Sequence, residues 1–458
     1  MLHSIKTKIR RRTVTDNAKT KRRLTSFQII ILGFAGVILA GALLLMLPIA
    51  SKSGIVTPFN EALFTSTSAV CVTGLVVQDT ATYWSLFGQA VIIVLIHIGG
   101  LGVITVASSI FLLSGKKISL MQRSTMQEAI SAPKIGGIVR LTGFTLKATF
   151  LIELAGALVM MPTFIGDFGA KGIWMSFFHS ISAFCNAGFD ILGTPDAKYA
   201  SLTAYISNPV INITVMLLII IGGLGFLTWD DIRTNKLHFK RYRMQSKVIL
   251  VTSAVLIAVP AVFFYVFDFA DMPLKDRIFA SLFQATTPRT AGFNTADFGS
   301  MSGAGQALTV VLMLVGGSPG STAGGMKTTT LALLAANVIA SFRRQDDPHL
   351  FGRRVGSDAV KTASTILMMY VSLFVGSAII ISLAEGLPMG TCLFETASAV
   401  GTVGLSLGIT PSLGILSRCI LIALMFFGRV GGLTLIYATL SGYNKKLSKL
   451  PQEKLIVG

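Results

Sequence analysis

Apolar residues run continuously over long stretches of this chain, and polar residues gather between them. The runs lie at about 27 to 47, 85 to 113, 141 to 161, 209 to 228, 248 to 267, 305 to 340, 362 to 384 and 412 to 440. Each is as long as the roughly 20 residues that a helix needs to cross a bilayer, so the pattern predicts eight spans. The first run is too long and starts too late for a cleavable leader. Between the two spans of each successive pair lies a shorter apolar stretch of roughly 10 to 14 residues, the length of a re-entrant segment.

These four stretches align: LFTSTSAVCVTGL (63 to 75), FFHSISAFCNAGF (177 to 189), LFQATTPRTAGF (282 to 293) and LFETASAVGTVGL (393 to 405). Phe64, Phe178, Phe283 and Phe394 precede Gly74, Gly188, Gly292 and Gly404 by ten residues, or nine in the third. One such stretch is unremarkable among hydrophobic segments, but four in register mark an internal repeat. The repeat extends into the second span, as IGGLGVIT (98 to 105), IGGLGFLT (221 to 228), VGGSPGSTAGGMKT (315 to 328) and FGRVGGLT (427 to 434). The expected fold is all-α integral membrane. It has four tandem span, pore helix, span repeats around a central pore: 27–114, 141–228, 248–340 and 362–440, flanked by a basic arm (1–26) and a tail (441–458).

Composition agrees with a membrane protein: of 458 residues, 52% are hydrophobic and 13% charged, and the mean hydropathy is +0.72, outside the soluble range. The net charge of +19 raises nucleic acid as a partner until the basic residues are placed. The arm holds nine of them, and 115 to 140, 229 to 247, 341 to 361 and 441 to 458 hold 5, 6, 5 and 4, whereas the alternate loops hold only Lys52, Lys171, Lys198, Lys275 and Arg277. This asymmetry puts both termini in the cytoplasm and leaves no charge that calls for nucleic acid; anionic lipid accounts for the arm. Acidic residues such as Asp79, Asp190 and Asp297 fall on the outer loops, where they draw cations toward a pore mouth. Cys71, Cys185, Cys392 and Cys419 form no CxxC pair, so neither a disulfide framework nor a zinc site is expected.

A dehydrated cation needs carbonyl oxygens in place of its water shell, and turning successive carbonyls inward requires backbone conformations that glycine tolerates. The candidate filter is therefore Val72, Thr73, Gly74 and Leu75; Asn186, Ala187, Gly188 and Phe189; Thr290, Ala291, Gly292 and Phe293; and Thr402, Val403, Gly404 and Leu405, with K⁺ held by their carbonyls. A short helix before each strand would aim its partly negative C-terminus at the ion.

These residues resemble the Trk/Ktr/HKT superfamily of K⁺ transporters over nearly the whole chain from about residue 27, and most closely the bacterial Ktr membrane subunit. The resemblance implies K⁺ uptake in the bacterial cytoplasmic membrane by a homodimer with one pore per protomer. It also implies a cytoplasmic ring of nucleotide-binding regulatory subunits, with nucleotide on that partner and no covalent cofactor here. In HKT-type relatives a serine at the first filter glycine accompanies Na⁺ permeation, so Gly74 favours K⁺; Na⁺ as a co-ion or activator stays open.

Repeat three departs from the rest. Its second span is broken by Gly316, Gly317, Ser318, Pro319, Gly320, Ser321, Thr322, Ala323, Gly324, Gly325, Met326 and Lys327, which cannot form a regular helix throughout. Gly320, Gly325, Lys327 and Thr328 approach a phosphate-binding loop, but Met326 occupies the lysine position and no strand precedes. The loop, together with Arg429 in the last span, is the expected gate on the cytoplasmic side. Arg289 is expected to turn behind the filter and pair with an acid; Lys147 and Glu153 are expected to snorkel or to pair. An enzyme is not expected, since the five histidines are scattered and no HExxH occurs. An inverted-repeat transporter does not fit repeats of two spans each, which share one orientation.

Overall fold

The computed structural model describes residues 25–113, 118–130, 136–236, 238–432 and 434. Nearly all of the basic arm, the C-terminal tail and the end of the last apolar run lie outside the described residues.

The chain is helical, in four successive groups. The first comprises α1 (Ser26–Leu45), α2 (Phe59–Val70), α3 (Leu86–Leu101), α4 (Val103–Leu113) and α5 (Leu120–Ile130). The second comprises α6 (Ile138–Phe168), α7 (Lys171–Phe184), α8 (Pro209–Gly223) and α9 (Phe226–Asn235). The third comprises α10 (Met244–Phe267), α11 (Leu274–Thr286), α12 (Gly303–Leu314) and α13 (Thr328–Phe342), and the fourth α14 (Ser357–Glu385), α15 (Met389–Gly401) and α16 (Ile415–Val430). A two-stranded hairpin, β1 (His349–Leu350) with β2 (Arg353–Arg354), lies between the third and fourth groups.

Local chemistry sets the helix starts. Thr25 and Gln28 form a capping box at α1, each side chain meeting the other's backbone N–H, which satisfies donors that lipid cannot. Pro58, Pro273 and Pro388 precede the short helices α2, α11 and α15, where a fixed φ favours entry to a helix and the missing N–H is not needed.

Four helices, α1, α6, α10 and α14, are each long and apolar enough to cross a membrane, making this a multi-pass membrane protein. The expected continuous second spans at 85 to 113 and 209 to 228 are corrected: α3 and α4 meet at 97°, and α8 and α9 at 98°. The bends sit at Gly102 and Gly225, with φ of +86° and +88°, and Gly431 repeats the conformation at +87°. All three stand three positions before a threonine (Thr105, Thr228, Thr434). The glycines three positions before them pack tightly: a Cβ on Gly99, Gly222 or Gly428 would overlap the carbonyl of Val70, Phe184 or Val400 at the end of the short helix in the same group. These close contacts hold α3, α8 and α16 each against the short helix of its own group.

The groups close on themselves. Each second helix packs on the short helix of the following group, α3 on α7, α8 on α11, α12 on α15, and α16 back on α2.

Candidate functional site

The four short helices end where the four glycine strands begin. Phe64, Phe178, Phe283 and Phe394 are buried and root each short helix in the core. In every strand the residue two before the glycine and the glycine itself both have positive φ: Val72 +56° and Gly74 +93°, Asn186 +58° and Gly188 +68°, Thr290 +69° and Gly292 +82°, Thr402 +51° and Gly404 +92°. Left-handed residues thus stand two apart in every strand, with none between them. Three of the left-handed residues are β-branched, a conformation that costs about 1–3 kcal/mol each and survives only where the surroundings enforce it.

The strands meet in a closed ring. A Cβ added to Gly74 would lie 2.5 Å from the Ala187 carbonyl oxygen, and one on Gly188 would lie 2.7 Å from that of Ala291. One on Gly292 would overlap the Val403 oxygen, and one on Gly404 the Thr73 oxygen. Each glycine thus faces the carbonyl just before the glycine of the next repeat, in chain order and back to the start.

A hydroxyl behind each strand fixes it. Thr73 N donates to the Ser68 carbonyl at 2.8 Å and Gly74 N to Ser68 Oγ at 3.0 Å; Val403 N and Gly404 N repeat this on Ser398 at 2.8 and 3.0 Å. In the middle repeats the hydroxyl works the other way: Ser182 Oγ donates to the Phe189 carbonyl at 2.7 Å, and Thr287 Oγ1 to that of Phe293. These anchors escaped the sequence reading, although the aligned segments carry a serine or threonine at that column.

Above the ring lies a vestibule of about 250 Å³, lined by all four glycines and by Asp79, Asp190 and Asp297. Asp79 is buried and accepts from Thr82 N at 2.8 Å and from Tyr199 N at 2.9 Å, tying two outer loops together. Desolvation, with a smaller contribution from the charge of Asp79, raises the Asp190 carboxyl to about 7.

On the other side of the ring the 316–327 loop reaches from repeat two to repeat four, braced to both. Ser318 N and Thr322 N donate to the carbonyls of Gly223 and Gly222 at 3.0 and 3.2 Å, and Gly325 N donates to that of Gly428 at 3.2 Å. Thr322 Oγ1 donates to the Phe184 carbonyl at 3.1 Å, and a Cβ on Gly324 would overlap Thr402 Oγ1. Lys327 Nζ folds back to the carbonyls of Ala323 and Gly324 at 2.9 and 3.2 Å. Arg429 stands where repeats one and two have Gly100 and Gly223. It clamps the loop from the side, donating to the carbonyls of Thr322 and Gly99 and, at 2.9 Å, to that of Gly100.

Gly316 to Gly320 also has the GxSxG spacing of a hydrolase nucleophile, but the hydroxyl of Ser318 lies 3.2 Å from that of Thr328 and has no histidine partner among the described residues. Helix α5, in a connection read only as a basic loop, brings the Ile130 carbonyl against Gly320. The acidic partner expected for Arg289 is not found among the described residues: buried Arg289 donates to Ser253 Oγ on α10 at 2.9 Å. Glu153 does not pair with Lys147, which is exposed; it faces His97 Nδ1 at 3.5 Å.

A model of the TrkH family, described as cation transport protein, matches residues 2–446. The potassium/sodium uptake protein NtpJ of Enterococcus hirae is 40% identical over 96% of this chain and 99% of its own. The Ktr system potassium uptake protein B of Bacillus subtilis is 37% identical over 91% and 93%. Among solved structures, the potassium transporter TrkH from Vibrio parahaemolyticus superposes with a TM-score of 0.72 over 91% of this chain and 85% of its own, at 20% identity, which establishes a shared fold.

Proposed function

The chain belongs to the TrkH family of cation transport proteins, a transporter and not an enzyme, and from that premise we propose that it takes up K⁺ through the four-glycine ring. The carrying observation is the alternation of positive φ at Val72 and Gly74 and their counterparts in all four strands. It supports rings of inward carbonyls that replace the hydration shell of K⁺. The C-termini of α2, α7, α11 and α15 add four partial negative charges aimed at the same point.

In this reading the chain crosses the bacterial cytoplasmic membrane eight times, in the four repeats 27–114, 141–228, 248–340 and 362–440, with both termini inside. K⁺ collects in the acidic vestibule and sheds water in the ring of Val72 to Leu75, Asn186 to Phe189, Thr290 to Phe293 and Thr402 to Leu405. It then waits above the 316–327 loop. Opening requires the loop to leave Arg429, and the broken, glycine-rich backbone supplies the freedom to do so. Relatives named as Ktr system components support a homodimer on a cytoplasmic nucleotide-binding ring that biases the loop. The potassium/sodium name of another relative supports Na⁺ as a co-ion or activator.

Flux into liposomes under competing K⁺, Rb⁺ and Na⁺ tests the assignment. Gly74→Ser is expected to weaken K⁺ over Na⁺ discrimination at least about tenfold, a loss of about 1.4 kcal/mol; unchanged discrimination removes Gly74 from the filter.

A further inference from the structure

His97 on α3, Glu153 on α6 and Cys185 at the end of α7 are far apart in sequence, and no spacing rule connects them. The fold brings one ligand atom from each to within 4.8 Å of the others. Glu153 Oε1 lies 3.5 Å from His97 Nδ1 and 3.8 Å from Cys185 Sγ. Metal bonds of about 2.0 to 2.3 Å at tetrahedral angles put neighbouring ligand atoms about 3.3 to 3.7 Å apart, so the two distances from Glu153 are already close to that spacing, and the third, within 4.8 Å, needs at most a small side-chain adjustment.

Burial sharpens the question. The Glu153 side chain is 6% exposed and Cys185 is fully buried, and among the described residues no lysine or arginine forms an ion pair with Glu153. A buried carboxylate needs either a proton or a positive partner. A divalent ion held by this carboxylate and a thiolate would be neutralised, and the imidazole completes a nitrogen, oxygen and sulfur set that suits borderline-soft metals. K⁺, Na⁺ and Mg²⁺ prefer oxygen alone. His97, whose side chain is 36% exposed, stands at the open edge of the trio.

We propose that His97 Nδ1, Glu153 Oε1 and Cys185 Sγ form an intramembrane site for a zinc-class divalent cation. Because Cys185 directly precedes Asn186, a bound ion would tie the lower end of the second repeat's strand to α3 and α6.

The test is Co²⁺ titration of the purified full chain in detergent, without a histidine tag, read by the thiolate-to-metal and visible bands of four-coordinate cobalt. One ion per chain is expected, with the thiolate band abolished in Cys185→Ser and affinity weakened at least about tenfold in His97→Gln. Cys71→Ser and Cys419→Ser are expected to bind as the unaltered chain does. Absence of saturable binding by the folded protein would mean that the trio only shares protons, and a thiolate band surviving in Cys185→Ser would put the metal elsewhere; either result overturns the site. His97→Gln alters a half-exposed side chain, so it keeps the test decisive if changes at the buried residues impair folding.

Discussion

The upper and lower halves of the molecule obey different symmetries. At the glycine ring all four repeats do the same thing: positive φ at the same two positions, a glycine against the next repeat's carbonyl, and a hydroxyl behind the strand. Below the ring they diverge. Repeats one, two and four share a left-handed glycine at Gly102, Gly225 and Gly431, with Arg429 replacing a glycine in the fourth, while repeat three inserts a loop that reaches from repeat two to repeat four. A ring of ligands around an ion works only if each quarter contributes alike, whereas a single obstruction suffices to close a path. Under the proposed function, symmetry is kept where coordination is shared and broken where the loop would exercise control.

The largest expected effect breaks the symmetry of the upper half. Gly404→Ala sets a methyl group against the Thr73 carbonyl and forces an alanine into left-handed backbone. At several kcal/mol of combined strain, Rb⁺ flux should fall by at least about a hundredfold, and a variant that conducts normally would show that the ring is not the path. Removing the asymmetry below should act in the opposite direction. Arg429→Ala, or deletion of residues 320–323, releases charge-assisted hydrogen bonds worth about 1.5–3 kcal/mol each. Flux should rise roughly three- to tenfold, while unchanged flux in both variants would free the loop of any gating role.

A smaller effect separates the two kinds of anchor within the ring. Ser398→Ala removes an acceptor from a filter N–H, and Ser182→Ala removes a donor to the carbonyl of Phe189. Each loses about 1 kcal/mol and should lower K⁺ over Na⁺ discrimination a few-fold in the competition assay, with equal loss in both if the strands are equivalent. The smallest concerns the vestibule. The Asp190 carboxyl is charged above its value of about 7 and neutral below it, so acidification from pH 8 to 6 removes one negative charge from the mouth. Flux at limiting K⁺ should then drop by a factor of about two, most at low ionic strength. Asp190→Asn should be slow and flat across that window; a persisting pH response assigns it to another group.

The meeting of the four glycines was legible in the sequence because each sits in a repeated segment with its own phenylalanine, and repetition makes weak local signals add. The left-handed backbone at Val72, Thr290 and Thr402 was not, since β-branched residues disfavour that conformation and only the packed short helices impose it; Asn186 alone carries a local hint. The bends were misread for a related reason. The GG pairs at 99–100 and 222–223 are packing contacts, but the turn falls at the next glycine, and a lone glycine in an apolar run does not announce an angle of nearly a right angle. Nor could spacing reveal Ser253 as the partner of Arg289, or the meeting of His97, Glu153 and Cys185, because neighbours brought together only by the fold leave no periodic trace.

The return of α16 onto α2 carries a consequence for how the protein is made. Arg429 bonds Gly99 across 330 positions of chain, so the last repeat to leave the ribosome is the one that seals the first. Until then the half-built bundle has no complete glycine ring. If the ring conducts as proposed, a membrane inserting this chain is thus spared an ion leak through unfinished copies, since synthesis completes the ring only with the piece proposed to hold it shut.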